Sequence, residues 1–307
     1  MIFSYISGRL GNQLFEYAYV RSLIYKRGRL DNLCLNFNLV KNAGKKEDGF
    51  IDSLKDFRVL PYSETNSDIV ACYGGVIQKV IYYAFKLHQR VNYKFNLTRW
   101  FQIFRKYGII FQEYSNNNIE QIIPQTKNIF CYGKYENPKY FDDIRPIILK
   151  EFTPQKPPLE SNKHLYSVIE STNSVCISIR RGDFLSDRFK DRFLVCDKDY
   201  FLKAMDEAKK RISNPTFIFF SDDIEWVREN IHCDVPCYYE SGKDPVWEKL
   251  RLMYSCKHFI ISNSTFSWWA QYLSRNENKI VIAPDRWSNN LEEHSMLLDD
   301  SFIKIKC

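Results

Sequence analysis

Between Ile69 and Gln112 the sequence has no aspartate and no glutamate. Seven cations fall in that stretch, Lys79, Lys86, Arg90, Lys94, Arg99, Arg105 and Lys106, and they equal the whole net charge of +7. The remainder of the chain is therefore close to neutral, and a basic contact surface is confined to one segment. No apolar run approaches the roughly 18 residues of a bilayer-spanning helix. Residues 1–6 lack the basic start and long apolar core of a signal peptide, so a cytoplasmic chain is expected. The nine cysteines form no CxxC pair, and Cys34, Cys176 and Cys256 sit in apolar runs. They read as reduced core residues, not as a disulfide framework.

At 307 residues the chain exceeds most single cores, so two domains are expected. The proline-rich segment 154–158 is the best linker, dividing the chain into 1–155 and 156–307. The first half opens with a strand at 2–6, the turn Ser7-Gly8-Arg9-Leu10-Gly11, and a helix from Asn12 with Leu14, Tyr17, Ala18, Ile24 and Tyr25 on one face. A glycine loop that opens a helix presents N–H groups to an anion. The plainer reading is a tight strand-to-helix turn, because a Walker lysine and a third Rossmann glycine are both missing. Residues 31–70 look loop-rich, 76–107 helical, and 129–132 a short strand.

After the linker the pattern becomes regular. Strands are expected at 175–179, 216–220, 259–262 and 280–283, with helices at 200–212, 224–230, 246–256 and 266–275. This alternation predicts a doubly wound parallel sheet. The strand ends are chemically alike: Arg180-Arg181-Gly182-Asp183, Ser221-Asp222-Asp223, and Asn263-Ser264-Thr265-Phe266-Ser267. Ligands bind where such strands hand over to loops, and two adjacent guanidinium forks suit a phosphate or pyrophosphate. Each end also has a plainer reading. Arg181 could pair with Asp183 in a surface turn, and Asp222, Asp223, Ser264 or Thr265 could cap the helix that follows.

These residues also match a family. Gly8-Arg9-Leu10-Gly11-Asn12-Gln13-Leu14-Phe15-Glu16-Tyr17-Ala18 resembles the N-terminal glycine motif of the bacterial α-1,2-fucosyltransferases, glycosyltransferase family 11. Ile179-Arg180-Arg181-Gly182-Asp183-Phe184 resembles the family's arginine motif. The run Ile261-Ser262-Asn263-Ser264-Thr265-Phe266-Ser267-Trp268-Trp269-Ala270 is similar to its third signature, and Phe220-Ser221-Asp222-Asp223 also fits. The resemblance implies a GT-B-like α/β architecture of two Rossmann-like domains facing across a cleft. It implies acceptor binding by residues 1–155, donor binding by 156–307, and inverting transfer of L-fucose from GDP-L-fucose to the 2-hydroxyl of a galactoside. No metal or other cofactor is implied.

By the same carry-over, Arg180 holds the β-phosphate and Arg181 shares the pyrophosphate or anchors its loop. Gly11, Asn12 and Gln13 approach from the other domain. Asp222 and Asp223, with Ser221, lie near the guanine or ribose. Asn263, Ser264, Thr265, Phe266 and Ser267 complete the phosphate cradle. The family usually has histidine where Ser178 stands, so the donor site is expected to differ from its relatives there.

A guanidinium fixed at the leaving diphosphate stabilises the charge that grows on it. Arg180 is therefore the first catalytic candidate. Asp183, Glu16 and Asp187 are candidates for the base, although Asp183, beside the arginines, reads as a poor base and a structural anchor. Asp197-Lys198-Asp199 has the DxD form used by metal-dependent transferases, but its place before a helix reads as a cap. A non-catalytic nucleotide- or glycan-binding module on the same fold is the alternative function. The basic stretch, interleaved with Tyr82, Tyr83, Phe85, Tyr93, Phe95, Trp100, Phe101 and Phe104, reads first as helices with a solvated face. Its other reading is a peripheral contact with the inner membrane through 76–107, where a lipid-linked acceptor would lie. The motifs call for no nucleic acid.

Overall fold

The computed structural model describes residues 1–91, 98–112, 122–290 and 295–307. Tyr93, Lys94 and Phe95 of the basic stretch lie outside the described residues. The chain forms two compact units, one of residues 1–55 and 59–151, the other of 56–58 and 152–307.

The first unit holds a five-stranded parallel sheet built from β1 (Ile2–Tyr5), β2 (Leu33–Asn36), β3 (Tyr62–Thr65), β4 (Ile109–Phe111) and β5 (Ile129–Tyr132). Their order is β3-β2-β1-β5-β4. Ile2 stands opposite both Leu33 and Ile129, which puts β1 at the centre. On one face, Phe3 stacks on Phe130 (5.0 Å) and Tyr73 (4.8 Å). The first helix begins earlier than expected, at Leu10, and runs to Lys26. It is buried on nearly all sides, including Gln13, Glu16 and Ser22. Tyr25, expected on its apolar face, is 54% exposed, because the burial of the helix ends one residue earlier, at Ile24.

The second unit holds a six-stranded parallel sheet: β6 (Asn173–Ile179), β7 (Pro215–Ser221), β8 (Cys237–Tyr239), β9 (His258–Ile260), β10 (Val281–Pro284) and β11 (Ile303–Ile305). The order is β11-β10-β9-β6-β7-β8. From β6 the chain winds outward through β7 and β8, returns to the other side of β6 as β9, and winds outward again. The topology therefore reverses between β6 and β9, the point where doubly wound sheets open a crevice beyond the strand C-termini. In the first sheet the corresponding reversal lies between β1 and β5.

Segment 154–158 is packed chain, not a free tether. Phe57 pairs with Pro154 in an antiparallel bridge, and Gln155 Nε2 donates to Phe57 O at 2.7 Å. The buried Arg251 reaches the carbonyls of Pro154 and Lys156, and Leu159 N donates to Glu248 Oε1 at 2.9 Å.

Candidate functional site

The three motifs of the second unit converge on its reversal point. β6 hands over to Arg180, β9 runs on toward Ser262 and Asn263, and β7 ends beside β6 at Ser221. Alternation along β6 sends Val175, Ile177 and Ile179 into one core cluster, while Ser178 turns to the opposite face and is buried. The register pairs Ile179 with Ser221, so the loops after β6 and β7 leave the sheet side by side.

That adjacency joins the charges. Arg180 Nη2 lies 2.6 Å from Asp183 Oδ1, and its Nη1 lies 2.7 Å from Asp222 Oδ2. Arg181 Nε lies 3.1 Å from Asp223 Oδ2, its backbone N–H donates to Asp222 Oδ1 at 2.9 Å, and its guanidinium sits 3.5 Å from the centre of the Trp226 ring. The surface-turn alternative, an Arg181–Asp183 pair, is not the pairing seen. Two cations thus face three carboxylates. Both forks are held in fixed planes, with the Arg180 and Arg181 side chains 23% and 21% exposed. Gly182 permits the approach: a Cβ there would lie 2.5 Å from Asp222 Oδ2.

Asp223 also caps the helix Ile224–Asn230, accepting from Trp226 N, and its own N–H donates to Ser221 Oγ at 3.0 Å. Two residues missed by the sequence reading brace this corner. Lys249 donates to Ser221 O at 3.2 Å and lies 2.7 Å from Oε1 of the fully buried Glu240, an ion pair off the hydrogen-bonding direction. The available signal was an acid directly after β8, a fourth strand end with a charged group.

On the β9 side, Asn263 is buried, and its Nδ2 donates to Phe193 O and Trp287 O, each at 2.9 Å. Ser264 takes the N-cap place of the helix Thr265–Leu273 but makes no capping bond with its side chain. Ser264, Thr265 and Phe266 are half-buried at the helix start. Ser267 is buried, and its Oγ lies 2.7 Å from Ser178 Oγ and 3.0 Å from Ser262 Oγ. Ser178 is thus tied to the third motif through a chain of three hydroxyls. Ser178→Ala should cost about 1 kcal/mol, the usual net worth of one hydrogen bond. Urea unfolding checks this, and no change would mean that the hydroxyl chain contributes nothing.

Gly11, Asn12 and Gln13 belong to the first unit. Gly8 has φ +68°, and a Cβ on it would meet Asn12 Nδ2 at 2.7 Å, so the turn needs glycine. The Gln13 amide donates to Gly8 O (3.1 Å) and Ile51 O (2.8 Å) and accepts from Ser53 N (3.0 Å). Gln13 therefore shapes the loop from below. Asn12, at the start of the helix that follows, is half-buried.

Glu16 accepts from both Ser7 N (2.8 Å) and Ser7 Oγ (2.5 Å). Burial raises its pKa well above the usual carboxyl range, against the pull of the two Ser7 bonds. Asp187, the third base candidate, is solvated and pairs with Lys190 at 2.7 Å. Asp197 caps the helix Lys198–Arg211, accepting from Tyr200 N at 2.8 Å.

Glu16 gives a pH prediction. Unfolded, its carboxyl loses its proton near pH 4.3. Folded, it keeps the proton to higher pH, so the native state binds more protons and stability falls as pH rises through that interval. Glu16→Gln removes the titration. Its unfolding midpoint should fall less than that of the wild type as pH rises from about 4.3; parallel profiles would show that Glu16 ionises as an ordinary carboxyl.

The family model for glycosyl transferase family 11 matches residues 1–302. The chain belongs to glycosyltransferase family 11. Among relatives of this family 11 protein, an Escherichia coli O-antigen biosynthesis glycosyltransferase, WbnK, is 28% identical over 99% of this chain and 100% of its own length. An Escherichia coli alpha-1,2-colitosyltransferase is 35% identical over 53% of this chain and 57% of its own. A mouse galactoside 2-alpha-L-fucosyltransferase, Sec1, is 31% identical over 44% of this chain and 39% of its own. In structure, the NodZ alpha-1,6-fucosyltransferase of Bradyrhizobium, soaked with GDP-fucose, superposes with a TM-score of 0.50 at 13% identity, covering 92% of this chain and 94% of that one. That likeness concerns the fold, which is GT-B-like: two parallel-sheet α/β units, as the family resemblance implied.

Proposed function

We propose that this family 11 glycosyltransferase transfers L-fucose, with inversion, from GDP-L-fucose to the 2-hydroxyl of a galactoside. The observation that carries the reading is Arg180, fixed by Asp183 and Asp222 at the reversal point of a doubly wound sheet. The names of the colitosyl and fucosyl relatives support the linkage, and the GDP-fucose soaked into NodZ supports the donor.

In this reading the second unit takes the donor. Arg180 meets the β-phosphate, and Arg181 anchors the loop or shares the pyrophosphate. The backbone N–H groups at Ser264 and Thr265 complete the cradle at the start of the helix. Asp222 and Asp223 orient the two forks beside the ribose and guanine. The first unit takes the acceptor.

As the bond from the fucosyl carbon to the diphosphate oxygen breaks, negative charge collects on that oxygen, and Arg180 stabilises it. The acceptor oxygen bonds to the same carbon from the opposite face. Asp183, pinned to Arg180, acts as a positioning residue, and the acceptor proton passes late to the departing GDP. The chemistry calls for no metal, because cations and N–H groups of the chain meet the leaving group.

The test is incubation with GDP-fucose and a panel of lactose, lacto-N-biose and N-acetyllactosamine, with products identified by mass spectrometry and linkage analysis. An α-1,2-fucosylated galactoside is expected. Transfer only from an activated colitose donor would reassign the sugar. A thermal shift with GDP but no GDP release with any acceptor would make the chain a binding module.

A further inference from the structure

The basic stretch forms two helices, Val76–Val91 and Thr98–Lys106. Their inward sides join the core of the first unit: Tyr82 and Phe101 are buried, and Phe85 stacks on Phe111 at 3.7 Å. Their outward sides are unusual. Val76, Val80, Tyr83 and Leu87, spaced four, three and four, fall on one side of a 3.6-residue helix and are 80, 64, 48 and 62% exposed. Trp100, Ile103 and Tyr107, spaced three and four, are also exposed. Gln78 Nε2 donates to Tyr107 O at 2.9 Å, which sets the end of the second helix beside the start of the first.

Charge says what fits this face. Lys79, Lys86 and Arg90, spaced seven and four, line one edge of the exposed apolar row, and Lys106 is exposed on the second helix. Lys86 is partly neutralised by Asp68 at 3.3 Å, but Asp68 precedes the acid-free stretch and caps the short helix Ile69–Tyr73. An apolar row with an aromatic belt and a cationic edge matches the headgroup layer of an anionic membrane, where apolar side chains enter the acyl boundary and cations meet phosphates.

We propose that the helices Val76–Val91 and Thr98–Lys106 form a docking surface for an anionic phospholipid bilayer. The full chain should float with vesicles of equal parts phosphatidylglycerol and phosphatidylcholine, not with phosphatidylcholine alone, and salt should weaken the binding. The double variant Val80→Asp/Leu87→Asp should lower partitioning roughly tenfold or more, since it places charge in the apolar row. Lys79→Glu/Arg90→Glu should weaken binding and flatten its salt dependence. Unchanged melting temperatures establish that both variants fold.

Three results would overturn the proposal. The wild type could fail to float. Both folded variants could float as the wild type does. Or the wild type could form a dimer that Val80→Asp/Leu87→Asp dissociates, with neither protein floating, which would give the face to a second copy of the chain.

Discussion

Arg180→Ala should lower kcat/KM by roughly 10²- to 10³-fold or more, the loss expected when one preorganised donor to a growing oxyanion is removed. The surroundings of Arg180 push the effect to the upper part of that range. Asp183 and Asp222 both lie within 2.7 Å of the guanidinium. Without it, two carboxylates lose their counter-ion and face a diphosphate on which negative charge is increasing. Adding Asp222→Asn to Arg180→Ala should therefore recover part of the loss, although neither change restores a cation. Arg180→Lys should fall between the wild type and alanine, because an ammonium keeps the charge but cannot span two carboxylates as a fork does. Near-normal turnover of folded Arg180→Ala would remove Arg180 from the mechanism. Identical rates for the single and double variants would remove the repulsion argument.

Glu240→Ala should be strongly damaging although it lies outside the arginine cluster. It leaves Lys249, 17% exposed, without its partner, and breaking such a pair from one side costs about 3–5 kcal/mol. Gly242 N, which donates to Glu240 Oε2 at 2.7 Å, also loses its acceptor. At roughly 2–4 °C per kcal/mol for a unit of this size, the melting temperature should drop by about 6 °C or more. Glu240→Gln combined with Lys249→Met keeps an acceptor for Gly242 and removes both charges, so it should regain most of the stability. Because Lys249 also holds Ser221 O, the alanine variant should raise the donor KM more than it lowers kcat. A stable Glu240→Ala with unchanged KM would show that the pair braces nothing.

The regular half of the fold was legible in the sequence because β6 and β7 are seven-residue strands with apolar centres, separated by helices with clear amphipathic faces. Of the short strands, β1, β5, β9 and β10 were read as apolar runs, and five others were not. β2 and β3, four residues each, lie inside the stretch read as loop-rich, and β4, β8 and β11 have three residues each. At that length a parallel strand carries no usable alternation, and its place is set by neighbours on the sheet. The site shows the same division. The strand-end motifs identified which residues meet, and the family signatures identified the family. The sequence did not reveal that Asp222 and Asp223, 41 and 42 residues away in sequence, already occupy the arginines. That follows from the β6–β7 register and from the space left at Gly182. Gln13 likewise read as a ligand group, while its amide holds Gly8 O of its own loop and two backbone positions of segment 51–53.

The bridge between Phe57 and Pro154 has a consequence for the order in which the chain is made. Phe57 is fully buried, yet its partner segment is nearly a hundred residues downstream; the Gln155–Phe57 hydrogen bond spans 98 positions. At about 5–20 residues per second, synthesis leaves this tripeptide waiting for roughly 5–20 s while the strands of the first unit emerge around it. During that interval Phe57 is an exposed aromatic flanked by Asp56 and Arg58, charges that keep the waiting segment hydrated. On the ribosome, then, the first sheet forms from a chain that carries within it a tripeptide of a unit not yet translated.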